Sequence, residues 1–491
     1  MKTVKLRNIL AWGSGDIFAS GAGTIIGLWM LFFFTEVAGL TPVQAGTIFA
    51  LANIWDGVTD PVMGYTSDNI RTRWGRRKVF FLFGAPFILV FAAMFVTGFG
   101  YWYYLLTYML FNTVLTVVLV PYNTLPAEMT TDFKVRSKMT GSRMLFAQVA
   151  AFAVTFLIGR ILDVVDDQAT AFMIIGGLFA VIFTLPWIAV YKWTWERCDS
   201  EPMPNDKGVL GILINIYKEM FSTFSLKSFR IHLMMFVGGY VALDVFGSTF
   251  IYYVTYVLGV TASQGADALS VMTLFQFIGI PFFTYFCIKL GNSHAHKIAI
   301  ALLLGGLFFF YSLSAQTSNL NTLIFVASIV MGLARGGTYM IPWNTYNFLP
   351  DADEALTGTR REGIYGGVMM LSRKISTSIA LFVVGLSLES FGFVSGAETQ
   401  VPMAIEGIRW TFLAGPAVLA AFALIGSFRF KLDEENHRLL MKEVERLRAG
   451  GTMDQATPEA RKVVEVITGH PYESTWGNRK KQANQTFSPA R

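Results

Sequence analysis

Thr35-Glu-Val-Ala-Gly-Leu-Thr-Pro-Val-Gln-Ala-Gly46 returns 220 residues later as Thr255-Tyr-Val-Leu-Gly-Val-Thr-Ala-Ser-Gln-Gly-Ala266. The same offset carries Asp56 to Gln276, and Asp60-Pro61 to Ile280-Pro281. Farther along, Val120-Pro-Tyr-Asn-Thr124 matches Ile341-Pro-Trp-Asn-Thr345 at an offset of 221. The chain is built twice, and its architecture must be two similar units that pack on each other.

Hydropathy says what each unit is. Apolar residues make up 53% of the 491 and charged residues 15%; mean hydropathy is +0.49. About twelve runs approach the roughly 20 residues that span a bilayer. They cover 9–36, 43–67, 79–99, 102–125, 140–163, 170–191, 231–258, 264–289, 296–314, 321–345, 364–391 and 408–428. The first has no small-residue cleavage site and reads as a retained span. Two parallel copies of six spans are the repeat expected of a major-facilitator fold, an all-α integral membrane protein. The expected division is an N-terminal six-helix half over 1–193, a cytoplasmic interdomain linker over 194–229, a C-terminal six-helix half over 230–430 and a cytoplasmic tail over 431–491. Substrate should bind at midplane between the halves, which would rock to alternate access.

Basic residues set the orientation. Lys and Arg crowd the loops after even-numbered spans: Arg71 to Lys78, Lys134 to Lys138, Lys192 to Arg230, Lys289 to Lys297, and Arg360-Arg361. The odd-numbered loops are almost bare, with Arg160 the main exception. The positive-inside rule then places both termini in the cytoplasm of a multi-pass chain in the cell inner membrane. The formal charge of +6 reflects topology, and no nucleic-acid partner is expected. Cys198 and Cys287 are not expected to pair on a reducing side. His294-Ala-His296 reads as a solvated loop, not a metal site. No Walker motif, nucleophile elbow or dinucleotide fingerprint is present, so neither an enzyme nor an ATP-driven pump is expected, and no cofactor.

Asp56 and Asp60 lie inside the second apolar run. Their i,i+4 spacing puts both carboxylates on one helix face. Bare carboxylates in lipid are costly, so each must face a wet cavity and meet an inorganic cation, a proton or a basic side chain. The second half has Gln276 and Ile280 at these positions, which makes the site one-sided. Among other intramembrane charges, Asp16 and Asp244 could be neutralised by Arg335 and Lys374. Pro121, Pro281 and Pro342 read as kinks. After Phe430, Glu434 to Arg448 reads as a charged helix with Leu440, Val444 and Leu447 on one stripe. Asn478 to Arg491 has a disordered composition.

Gly13-Ser-Gly-Asp16, Leu31-Phe-Phe-Phe-Thr-Glu-Val-Ala-Gly39, Ile54-Trp-Asp-Gly-Val-Thr-Asp-Pro-Val-Met-Gly64, Arg73-Trp-Gly-Arg-Arg-Lys78 and Arg361-Glu-Gly363 resemble the glycoside–pentoside–hexuronide:cation symporters. The resemblance covers all twelve spans and misses the tail. It implies a cation site from Asp56, Thr59, Asp60 and Thr116, with Na⁺, Li⁺ or H⁺ as coupling ion. Hard cations want such oxygen ligands, and paired carboxylates can share a proton. It implies substrate contacts at Asp16, Asn123, Arg143, Trp343 and Lys374. Asp68, Arg73, Arg76 and Arg77 are implied to latch the cytoplasmic side. A well-known member of the family has a carboxylate where Leu119 stands and a Trp at Asn123. A galactoside site of that type would lose a hydroxyl acceptor and a stacking surface here.

The leading expectation is a monomeric symporter for a sugar or glycoside, with a pentoside or uronate included. The alternative is a carrier of a lysolipid or other amphiphile on the same fold, because animal lysolipid carriers resemble the family too. Such a carrier should show an apolar cleft opening sideways and a basic headgroup site.

Overall fold

Thr41 and Thr261, which belong to the two copies of the repeat, start their helices in the same way. In the computed structural model each hydroxyl accepts a hydrogen bond from the backbone amide of Gln44 or Gln264, and each Gln side-chain oxygen accepts one from the threonine's own backbone amide. This reciprocal cap satisfies two orphan donors at each helix start. A single π-helical turn precedes each cap, at Phe33–Val37 and Tyr253–Val257. Gly39 and Gly259 follow with φ of 72° and 69°, a left-handed conformation that favours glycine. The repeat is therefore one of backbone geometry as well as sequence.

The structure describes residues 3–70, 72–130, 133–196, 208–358, 361–397 and 399–476. The first half holds α1 (Leu6–Met30), α2 (Pro42–Asn69), α3 (Lys78–Ala93), α4 (Tyr101–Met129), α5 (Phe133–Val164) and α6 (Gln168–Trp193). A helix within the expected linker follows, α7 (Gly208–Ser222). The second half holds α8 (Lys227–Val257), α9 (Ala262–Leu290), α10 (Asn292–Ser312) and α11 (Leu320–Tyr346). A short α12 (Leu349–Thr357) precedes α13 (Glu362–Ser390) and α14 (Pro402–Arg429). Among the described residues, ten helices are long and apolar enough to cross a membrane. The acidic α2 and the shorter α3 complete the twelve. Part of the linker expectation, residues 197–207 with Cys198, and the disordered-tail expectation beyond Trp476 lie outside the described residues.

Two expectations needed revision. The third span is not one helix over 79–99; Pro86 falls where α-helix gives way to a 3₁₀ stretch, Ala85–Leu89. His296 is not in a solvated loop. It lies in α10, fully buried, with Nδ1 2.6 Å from the Ser427 hydroxyl. Among the described residues no group of three or more His, Cys, Asp or Glu could hold a metal. In the tail, α15 (Glu434–Arg448) buries Leu440, Val444 and Leu447 as expected, and a second helix that the sequence reading did not name, α16 (Pro458–Thr468), packs on it. Both dock on α12, where Arg448 pairs with Glu354 at 2.5 Å and His437 with Asp351 at 2.9 Å.

Close helix packing in a membrane needs small residues at the crossing. A Cβ on Gly46 would lie 2.9 Å from the Phe382 Cα, and one on Gly385 2.2 Å from the Pro42 carbonyl. So α2 and α13 cross almost backbone to backbone. This crossing lies on the face opposite the basic loops. Other contacts between the halves gather there. Thr35 and Tyr252 hydroxyls meet at 2.6 Å, Tyr256 donates to Glu36, and Ser395 donates to the Leu40 carbonyl at 2.7 Å. Arg160, the exception to the charge rule, reaches across to Asp267 at 2.6 Å and also pairs with Asp163. The halves are closed on this face.

A candidate cation and substrate site between the halves

Asp56 and Asp60 point from α2 toward the seam, one helical turn apart. Thr116 of α4 donates to Asp60 Oδ1 at 2.7 Å. Lys374 of α13 closes the group: its Nζ is 2.6 Å from Asp60 Oδ2 and 3.2 Å from Asp56 Oδ2. Of the partners the sequence left open, this conformation supplies the basic side chain. Asp56 Oδ1 and the Thr59 hydroxyl are buried with no hydrogen-bond partner. Two carboxylates against one ammonium leave a formal charge of −1, with spare oxygens aimed inward. Such a cluster can take up a hard cation or a proton. Asp60 and Lys374 side chains are 36% and 31% exposed, so water reaches them, and with the opposite face shut the way in is from the basic face.

The motif Gly13-Ser-Gly-Asp16 works through its glycines. A Cβ on Gly13 would fall 2.3 Å from the Ser142 hydroxyl, and one on Gly15 2.7 Å from the Tyr122 ring. Their absence lets α1 approach α4 and α5 closely enough for Asp16 to meet Arg143 at 2.6 Å. Ser20 also donates to Asp16. Trp12 and Tyr122 stack with centroids 5.2 Å apart, and the Arg143 guanidinium lies near both rings. Asn123 is exposed and Leu119 half-buried. This wall therefore presents the part-exposed Arg143, held by the buried Asp16 and the buried Trp12 and Tyr122 rings.

The second half contributes a cluster that the sequence reading only partly named. Asp244 of α8 pairs with Arg373 at 3.3 Å and accepts from Thr377 at 2.8 Å. Trp343 donates to the Tyr240 hydroxyl at 2.7 Å. The expected neutralisation of Asp16 or Asp244 by Arg335 or Lys374 is not what forms. Asp16 takes Arg143, Asp244 takes Arg373, and Lys374 takes the α2 pair. Of the five implied substrate residues, Asp16 and Arg143 come together, Trp343 stands in the opposite half, Asn123 is exposed, and Lys374 joins the Asp56–Asp60 pair. Arg373 was missed, although two adjacent cations inside one apolar run were a legible signal.

On the basic face, Arg76 and Arg77 both bind Glu128, and their amides donate to Glu196 at 2.7 Å each. Arg73 lies 4.1 Å over the Trp74 ring. The Glu128 and Trp74 contacts stay within the first half, and Glu196 stands at the start of the expected linker; the Asp68 side chain is outside what the structure describes. From the linker, Tyr217 of α7 donates to the Gly57 carbonyl of α2 at 2.6 Å.

Comparison with known proteins agrees with this architecture. The chain is 25% identical to a putative glycoside/cation symporter of Escherichia coli, over 94% of this chain and 99% of that one. It is 23% identical to the sodium-dependent lysophosphatidylcholine symporter 1 of Xenopus tropicalis, over 87% of each. The crystal structure of nucleoside transporter NupG superposes with a TM-score of 0.59 at 12% identity, covering 87% of this chain and 98% of that one, a likeness of fold. The profile of the family described as MFS/sugar transport protein matches residues 11–434, and the chain belongs to that family.

Proposed function

We propose that this chain is a secondary active symporter of the cell inner membrane. It carries a sugar or glycoside, pentosides and uronides included, together with Na⁺, Li⁺ or H⁺. It acts as a monomer without a cofactor, with both termini and the basic loops in the cytoplasm. The observation that carries the reading is Lys374 of one half seated on Asp56 and Asp60 of the other. The ammonium is a tethered stand-in for the coupling cation. When an inorganic cation or a proton takes the carboxylates, Lys374 is released and the seam between α2 and α13 is free to rearrange. Substrate sits beside the seam, between the Asp16–Arg143 wall and the Trp343 wall. Binding on both sides lets it act on the same rocking motion.

The test is cation-driven uptake into proteoliposomes, with Asp56→Asn and Asp60→Asn. Each variant should insert normally and lose cation-dependent uptake. Unchanged Na⁺ and proton dependence in both would sink the assignment.

A second reading, a carrier of an amphiphile such as a lysolipid, has one observation in its favour. A groove of about 660 Å³ lies between α8, α13 and α14, and its lining is almost wholly apolar, with Val241, Val245, Ile379, Val383 and Phe422 among the residues. An acyl chain would fit such a surface. Uptake of lysophosphatidylcholine in place of every sugar tested would promote this reading.

A further inference from the structure

Asp60 is followed by Pro61, inside α2. In an α-helix the carbonyl of residue 57 accepts from the amide of residue 61, and proline has no amide hydrogen to give. The Gly57 carbonyl, in the turn between Asp56 and Asp60, is therefore left without its helical partner. An unmatched carbonyl at membrane depth is costly, and a neighbouring element commonly supplies the missing donor. Here the donor is Tyr217 of the linker helix α7, whose hydroxyl lies 2.6 Å away.

The far end of α7 is fastened to the second half. Ser222 accepts from Arg361 Nη1 at 2.8 Å. Arg361 in turn binds both carboxylate oxygens of the fully buried Asp353 of α12, at 2.7 and 2.8 Å. The Met220 side chain approaches Gly367 of α13. So α7 is a strap that joins α2 of one half to α12 and α13 of the other, on the side of the basic loops.

The tail grips the root of this strap in two places. Residues 223–228 join α7 to α8, and Ser228 donates to the Ile467 carbonyl of α16 at 2.7 Å. His470 Nε2 lies 3.1 Å from the Ser225 carbonyl. Gly469 permits this approach: its φ is 78°, and a Cβ there would fall 2.6 Å from the Lys227 Cβ. The second grip is on α12. Arg448 and His437 pair with Glu354 and Asp351, on either side of the Asp353 that anchors Arg361, and the Trp476 amide donates to the Ala355 carbonyl at 2.9 Å. Both grips therefore lead to the end of α7 that carries Ser222.

We propose that Tyr217 is a positioning residue for the Asp56–Asp60 pair, and that the docked tail controls it by holding the root of α7. With the tail in place, the strap ties the halves together beside the Lys374 bridge and fixes the turn that presents both carboxylates. When the tail leaves, α7 loosens, the Gly57 carbonyl loses its donor, and Lys374 gives way more readily to a solute cation. The inference rests on the symporter reading above and adds regulation of its cation site.

The experiment uses the full-length protein in lipid nanodiscs. Two variants lift the tail from its two grips. Arg448→Glu sets a carboxylate against Glu354, and Gly469→Val drives a side chain against Lys227 from a left-handed position. Hydrogen exchange over 434–476 reports undocking. Nitroxides on Ile54→Cys and Ile214→Cys, both exposed positions, in a Cys198→Ser, Cys287→Ser background, report the distance from α2 to α7. Calorimetry with sodium chloride reports cation affinity. Undocking should broaden and lengthen the nitroxide distance, and it should tighten sodium binding by about fivefold, the equivalent of one hydrogen bond. In a Tyr217→Phe background the same tail variants should change sodium affinity by less than about twofold, because two changes on one route do not add.

An undocked tail with an unchanged nitroxide distance overturns the clamp. Tail variants that shift sodium affinity equally with and without the Tyr217 hydroxyl overturn the route through Gly57. A wild type that binds neither Na⁺ nor protons removes the symporter reading and with it the effect on affinity; a distance that lengthens on undocking then still supports the clamp.

Discussion

Lys374 and Asp60, 314 residues apart in the chain, meet at 2.6 Å across the seam between the halves. The contact is part-exposed, and pairs of that kind contribute modestly because water and salt screen them. A weak bridge that a solute cation can replace is suited to coupling. A fully buried one would be costly to break.

Replacing Lys374 by Met should therefore strengthen cation binding. The variant leaves two carboxylates, the Thr59 hydroxyl and the Thr116 hydroxyl without their tethered competitor. Sodium affinity, measured by calorimetry, should increase by about tenfold, worth about 1.4 kcal/mol. Substrate should no longer sense the cation, because α13 has lost its handle on α2. A fall in sodium affinity would mean that Lys374 helps build the cation site and does not compete for it.

The closed face offers a second test. Glu36 and Tyr256 occupy equivalent positions in the two repeats, and the Tyr256 hydroxyl donates to Glu36 Oε2. The other oxygen, Oε1, is buried without a partner. Tyr256→Phe would take away the tyrosyl donor to this carboxyl at the seam, a loss of roughly 1–3 kcal/mol. The halves should separate more often on this face. A cysteine placed in the cavity should then be labelled severalfold faster by a reagent added from that side. Unchanged labelling would show that the α2–α13 crossing alone keeps the face shut.

Much of this was legible in the sequence because it depends on local rules. The repeat at Thr35 and Thr255, the twelve runs, and the helix over Glu434 to Arg448 follow from turn chemistry, span length and periodicity. The acidic pair on α2 was legible because charge in an apolar run needs a reason. Pairing was not legible. Whether Asp16 would meet Arg143 or Arg335 depends on how closely α1 and α5 pack, and that depends on Gly13 and Gly15 opposite Ser142 and Tyr122. Tyr217 gave no signal at all. A tyrosine in a short linker helix carries no mark of the carbonyl it will reach 160 residues away. Arg160 defied the charge rule because its partner, Asp267, comes from the other half.

The packing of α15 on the rest of the tail should loosen in acid. Glu443 of α15 accepts from Arg446 at 2.6 Å and from the Tyr472 hydroxyl. Burial pushes its carboxyl up, but the hydrogen bonds from Arg446 and Tyr472 and the charges of Arg446 and Arg461 outweigh burial and hold it below the usual range. A depressed folded value contributes stability that is fully present above the ordinary carboxylate value. That stability is lost as pH falls through the folded value. Hydrogen exchange of 434–476 should accelerate on acidification below the ordinary carboxylate range, and Glu443→Gln should show the fast exchange already at neutral pH. Equal protection of wild type and variant at neutral pH would contradict this.

Tyr217→Phe tests whether the linker helix reports to the cation site. Its hydroxyl donates at 2.6 Å to the Gly57 carbonyl, and Gly57 lies in the helical turn between Asp56 and Asp60. Pro61 offers this carbonyl no amide, so the Tyr217 hydroxyl is its donor, at the turn that presents both carboxylates. The Met220 side chain of the same helix α7 approaches Gly367 of α13, so α7 touches both helices that carry the Lys374 bridge. Removing one hydroxyl takes away a hydrogen bond worth about 1 kcal/mol, too little to unfold the protein. Sodium affinity should shift by about fivefold, with the direction set by whether α7 favours the conformation that holds Lys374 on the pair. That geometry predicts tighter sodium binding in the variant, because loosening α7 frees the seam. Sodium affinity and uptake rate that both match wild type would show that the Tyr217 contact anchors the linker and nothing more.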